Sequence, residues 1–140
     1  SAGAHIGALI ATDEEYLKKE GGDRNWVKAF AGLAGPYHFT PDEPDYIDMF
    51  GPPENYKYMQ VSTYVDGKQP PMLLLWGRKD KEVGEINITN LSKALKSKGG
   101  KYEIKYYEDV DHIDIIATIS KASLVSIPTV ADINNYLKKQ

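Results

Sequence analysis

Residues 72–76 read Met-Leu-Leu-Leu-Trp, an apolar run with no polar side chain inside it. A strand with one face in water alternates polar and apolar residues. A short unbroken run is instead the mark of a strand buried on both faces, inside a parallel sheet covered by helices. The flanking sequence supplies such helices. Glu85 to Lys98 sets Ile88, Leu91 and Leu95 at helical spacing and stops at Gly99-Gly100. Pro128 to Lys139 predicts a last helix with Val130, Ile133 and Leu137 facing inward. Ala2 to Ala11 (AGAHIGALIA) predicts a buried helix. Gly3, Ala4, Gly7, Ala8 and Ala11 would let it lie close to the sheet, offsetting a glycine cost of about 1 kcal/mol each.

Further strands are expected at Val27 to Leu33 and at Tyr102 to Tyr107. Thr12 with Glu15 fits a capping box that opens a short polar helix ending at Gly21-Gly22. Asp109 to Asp114 reads as a loop containing His112, followed by a short helix at Ile115 to Ile119. Between about 36 and 71 the chain carries Pro36, Pro41, Pro44, Pro52, Pro53, Pro70 and Pro71, and predicts a lid-like excursion with short helical turns. The order is α/β, with parallel strands joined by right-handed crossovers. So few strands leave exposed edges and little core, and so apolar a first helix needs a sheet to bury it. Residues 1–140 therefore read as one partial domain, the later part of a larger one.

Composition closes several routes. The 17 Lys+Arg against 20 Asp+Glu give a net charge of -3, which offers nothing to a nucleic acid or an anionic membrane. The chain has no Cys, so it makes no disulfide, thiolate metal site or Cys nucleophile, and the compartment stays undecided. No apolar run approaches the roughly 18 residues of a membrane span. His5, His38 and His112 are scattered and form no His-Glu-x-x-His pattern, so no metal is expected. Asn87-Ile88-Thr89 and Asn90-Leu91-Ser92 match a glycosylation sequon, but both fall on an expected helix, where chance is the better explanation.

Three residues stand where an α/β sheet carries its chemistry, at the carboxyl ends of strands or strand-like segments. Ser1 precedes the small-residue helix, Asp80 follows the Met72-to-Trp76 strand, and His112 follows the Tyr102-to-Tyr107 strand. A serine hydroxyl needs a base to remove its proton, imidazole suits that task near neutral pH, and a carboxylate holds the ring in the right tautomer. Asp111 and Asp114 are rival acids, but sequence neighbours of His112 rarely face it. The small residues after Ser1 permit a tight turn and leave the Ala2 N–H at a helix N-terminus, where it can receive an oxyanion. Tyr37 and His38 are candidates for binding substrate. The excursion's aromatic residues could form a wall for an acyl or aryl group, or simply pack the loop. His5 reads as a packed histidine.

SAGAH resembles the second half of the nucleophile-elbow motif G-x-S-x-G. LLLWGRKDKEV resembles the strand and acid loop of the α/β-hydrolase superfamily, with Gly77, Asp80 and Val83 in place, and YYEDVDHIDII its histidine loop. GLAGPYHF, GPPENY and GKQPPMLLLWG look like its carboxylesterase and arylformamidase-like branch. The resemblance implies the C-terminal part of an α/β-hydrolase fold, starting at the elbow. It implies a Ser1–Asp80–His112 triad with Ala2 in the oxyanion hole, acting without a cofactor on a small ester or formamide through an acyl-enzyme. Asp109 stands where the family often has glycine, and Trp76-Gly77 where it often has His-Gly. The family's earlier strands and second oxyanion donor are not in this sequence, so the missing N-terminal half is the expected partner and the piece alone is expected to be inactive. Two alternatives remain: an N-terminal-nucleophile amidohydrolase using the Ser1 amine as base, and a non-catalytic α/β interaction module.

Overall fold

The computed structural model describes residues 1–120 and 126–140. Among these residues three strands, β1 (Phe30–Leu33), β2 (Met72–Gly77) and β3 (Tyr102–Tyr107), form one parallel sheet in the order β1-β2-β3. Among the described residues six α-helices accompany it: α1 (Ala2–Thr12), α2 (Glu14–Lys19), α3 (Pro44–Phe50), α4 (Ile86–Ser97), α5 (His112–Ala117) and α6 (Thr129–Leu137). The architecture is the expected α/β one.

Every residue of β2 is buried, and its side chains divide between two cores. Met72, Leu74 and Trp76 join Ala8 of α1, Ile88, Leu91 and Leu95 of α4, and Tyr37, Val61 and Val65 of the excursion. Leu73 and Leu75 face the other way, onto Ile115 of α5 and Tyr136 of α6. Each such buried leucine contributes about 1.5–3 kcal/mol of burial free energy, which is why this strand can omit polar residues. The excursion folds as α3 and two 3-10 turns, Pro53–Tyr58 and Val61–Tyr64, the second reaching the core through Val61.

Several local expectations are corrected. Helix α2 is capped by Asp13, whose carboxylate accepts from the Glu15 N–H, while the Thr12 hydroxyl ends α1 by bonding back to the Ala8 carbonyl. Strand β1 starts at Phe30, not Val27, because Asp23 caps a 3-10 turn over Arg24–Trp26 that Val27 closes. On α1, Ala8 and Ala11 face inward and Gly7 lies against the Phe30 ring, whereas Gly3 has open space around it. Helix α6 buries Thr129 and Tyr136 and packs Ile133 inward; Val130 and Leu137 are exposed. Asp132 sets that rotation, accepting the Tyr107 hydroxyl at 2.7 Å and pairing with Lys105 at 3.4 Å.

Among the described residues, no helix is long and apolar enough to cross a membrane, and no cluster of three His, Cys, Asp or Glu is arranged to hold a metal ion.

Candidate functional site

Strand β2 ends at Gly77 and turns at once, with the Asp80 N–H bonded to the Gly77 carbonyl. The Asp80 side chain then organises the turn around itself. Its Oδ1 accepts the N–H groups of Glu82 (2.9 Å) and Val83 (2.8 Å), the local pattern for which aspartate is favoured in turns. The Trp76 indole N–H donates to the Val83 carbonyl at 2.8 Å and ties the turn to the strand. Oδ2 is left facing His112, whose Nδ1 lies 2.8 Å away. A carboxylate can only accept, so Nδ1 carries the proton and the neutral ring keeps a lone pair on Nε2. Both side chains are buried, which makes the hydrogen bond directional and shields it from competing water.

His112 does not sit in a loop, as expected, but is the first residue of α5. The cause is a capping box: Asp111 accepts the Asp114 N–H while Asp114 accepts the Asp111 N–H. The two rival acids are thus engaged with backbone, and Asp80 is the carboxylate bonded to the imidazole. Buried Ile115 anchors the helix in the core beneath. Two backbone hydrogen bonds join the acid and histidine loops, Arg78 N–H to the Tyr107 carbonyl and Lys79 N–H to the Val110 carbonyl. Ion pairs from Arg78 to Glu108 and from Lys79 to Asp109 lie outside them. Each cation donates a hydrogen bond to its carboxylate, Arg78 to Glu108 and Lys79 to Asp109, and that bond raises its pKa, but exposed pairs of this kind add little to stability.

Ser1 caps α1 without a hydrogen bond from the helix to its side chain. Its backbone nitrogen donates to the Leu33 carbonyl at 2.8 Å, fixing Ser1 beside the carboxyl end of β1. The negative charge of Asp80 is felt at the Ser1 nitrogen, so the two residues share one electrostatic neighbourhood. A helix begins directly at Ala2, with its leading N–H groups lacking intrahelical acceptors.

Tyr37 is completely buried in the core, its hydroxyl unpartnered and its pKa pushed up by burial. The His38 N–H donates to the side-chain oxygen of Asn87, a buried residue of one sequon. A cleft of about 400 Å³ between α1 and the excursion is lined by His5, Leu9, Phe50, Tyr58 and Met59 among others, with His5 Nε2 bonded to the Met59 carbonyl at 2.7 Å. Neither Tyr37 nor His38 is one of its walls. The residue that sequence reasoning missed is Glu82, whose Oε2 lies 3.8 Å from His112 Nε2. The Asp80 turn that brings it there was not legible as a constraint on its direction.

The model of the prolyl oligopeptidase family matches residues 33–140. No curated protein matches the sequence. Solved structures match over nearly the whole chain at low identity. A truncated form of a carbohydrate esterase from gut microbiota is 15% identical with a TM-score of 0.78, over 99% of this chain and 56% of its own. The carboxylesterase Cest-2923 from Lactobacillus plantarum is 14% identical with a TM-score of 0.75, over 100% and 56%. A sugar hydrolase (YeeB) from Lactococcus lactis is 20% identical with a TM-score of 0.75, again over 100% and 56%. The chain thus has the α/β-hydrolase fold and spans about half the length of these structures.

Proposed function

The chain belongs to the prolyl oligopeptidase family, and on that premise we propose that it carries the catalytic triad of a serine hydrolase that cleaves small carboxylic esters or formamides. The observation that carries the reading is the 2.8 Å hydrogen bond between buried Asp80 and buried His112 at the carboxyl ends of neighbouring strands.

In this reading His112 Nε2 takes the proton of the Ser1 hydroxyl as Oγ bonds to the substrate carbonyl carbon. The tetrahedral oxyanion is held by the Ala2 N–H. The bond to the leaving alcohol or amine then breaks, with the proton passing from Nε2 to the leaving atom. Water, activated by the same Nε2, releases the acid from the acyl-enzyme. Asp80 holds the ring throughout.

Residues 1–140 form a single partial domain whose excursion at about 36–71 covers one side of α1. The other half of the fold supplies the strands before Ser1 and a second oxyanion donor. Loss of one such donor alone costs about 2.7–4 kcal/mol of transition-state stabilisation. We therefore expect residues 1–140 alone to be inactive or nearly so. The family's description favours a second reading, in which the scissile bond is a peptide bond. The test is turnover by the full-length protein of matched ester, formamide and peptide substrates. Ser1→Ala should abolish turnover with the fold intact, and retained turnover in that variant overturns the assignment.

A further inference from the structure

We infer that Glu82 selects the leaving group, favouring substrates whose alcohol portion carries a cation or a hydrogen-bond donor and disfavouring those that carry an anion. The inference deepens the triad reading and rests on it. His112 lies between two carboxylates. Asp80 occupies Nδ1, and Glu82 Oε2 stands 3.8 Å from Nε2, the atom that delivers the proton to the leaving group. This position is built into the turn. The Glu82 N–H is held by Asp80 Oδ1, so the same carboxylate that orients the imidazole fixes the backbone from which the Glu82 side chain extends.

Its chemistry is unlike that of its neighbours. Asp109 is paired with Lys79, Glu108 and Glu85 with Arg78, and Asp111 and Asp114 with each other's backbone. Among the described residues Glu82 has no Lys or Arg within 4.0 Å, and its side chain is two-thirds exposed. It therefore presents charge on the side of the ring where the alcohol departs. A carboxylate there accepts hydrogen bonds from hydroxyl or ammonium groups and repels a second anion. A charge carried by the alcohol departing at Nε2 falls within a Debye length of about 10 Å at 0.1 M salt, so the preference is present in ordinary buffers and weakens in concentrated salt.

The test uses the full-length protein and three esters of one acid, the acid being the one it turns over fastest. The alcohols are choline, its neutral isostere 3,3-dimethylbutanol, and 3-hydroxypropionate. We expect kcat/KM to fall in that order. Glu82→Gln should reduce the choline-to-hydroxypropionate ratio about tenfold, Glu82→Asp should keep it within about threefold, and 0.5 M NaCl should compress the wild-type ratio. Glu20→Gln, beyond the far end of α1, should move the ratio by less than about twofold. If Glu82→Gln leaves the ratio within twofold while Ser1→Ala abolishes turnover, the triad reading stands and the role of Glu82 is overturned. If the wild type and Ser1→Ala cleave the esters equally, the triad reading fails and the role of Glu82 fails with it.

Discussion

Gly77 faces the carbonyl oxygen of Val110 so closely that a Cβ at position 77 would collide with it. Backbone torsion is not the reason, because Gly77 is absent from the positive-φ positions. The reason is space: the end of β2 and the loop that delivers His112 run against each other, joined by the bond from Lys79 N–H to that same carbonyl. Gly77→Ala must push the two loops apart. Overpacking of this kind costs about 1–3 kcal/mol, to be read as a lower urea midpoint at unchanged slope. Activity should fall further than the remaining folded fraction explains, because the displaced segment carries His112.

Asp80→Asn separates the two tasks of this carboxylate. Asparagine Oδ1 can still accept the Glu82 and Val83 N–H groups, so the turn survives. Its amide now presents a donor to His112 Nδ1 and moves the ring proton to Nε2. The base is then lost while the fold is kept. The expected outcome is a fall in kcat of about 10³–10⁴, with circular dichroism and melting temperature near those of the wild type.

Arg24 gives a pH dependence with a definite sign. Its guanidinium, nearly buried, donates to the Thr12 carbonyl at 2.7 Å and to Asp66 at 2.9 Å. Burial pushes the Asp66 carboxyl up, but hydrogen bonds from Arg24 and the Lys68 N–H, with the charge of Arg24, outweigh it and hold it below its ordinary 3.8. A carboxylate depressed in the folded state contributes stability above its unfolded pKa and loses it as pH falls through the folded one. The melting temperature of Arg24→Met should therefore lie below that of the wild type at pH 6. The part of that gap due to Asp66 should shrink as the pH falls below the ordinary 3.8 and be lost once it has passed the lower folded-state value. A gap independent of pH would assign the whole effect to the Thr12 bond.

Helix α6 offers a test of its rotation. Tyr136 packs beside Leu73 and Leu75, whereas Val130 and Leu137 are exposed. Tyr136→Ala should cost about 3–5 kcal/mol, as for other large aromatic truncations, and Val130→Ala less than about 0.5 kcal/mol. Comparable losses at both positions would mean that a further part of the protein covers the outer face.

The same helix shows where sequence reading reaches its limit. The sequence points Val130, Ile133 and Leu137 of α6 inward, and Asp132 turns the helix away from that, through its bonds to two residues of β3. Strand β2 posed no choice of face, because every side chain is apolar and both faces are covered, so its bounds were legible to within a residue. Strand β1 and α5 were misjudged at their starts because aspartates, Asp23 and Asp111, set those starts by capping. The pairing of Asp80 with His112 could be read from strand ends and residue type. The position of Glu82 could not, since it follows from two hydrogen bonds that form only once the turn has closed. Tyr37 read as a possible wall of a substrate site, yet the structure seals it in the core against Phe30 and the sheet.

The measurement that bears most directly on the triad is fluorophosphonate labelling of the full-length protein, followed by peptide mass mapping. The account predicts one adduct on Ser1, lost in His112→Ala and slowed by about 10³-fold or more in Asp80→Asn. An adduct on a different serine, or turnover of substrate without labelling of Ser1, would contradict it.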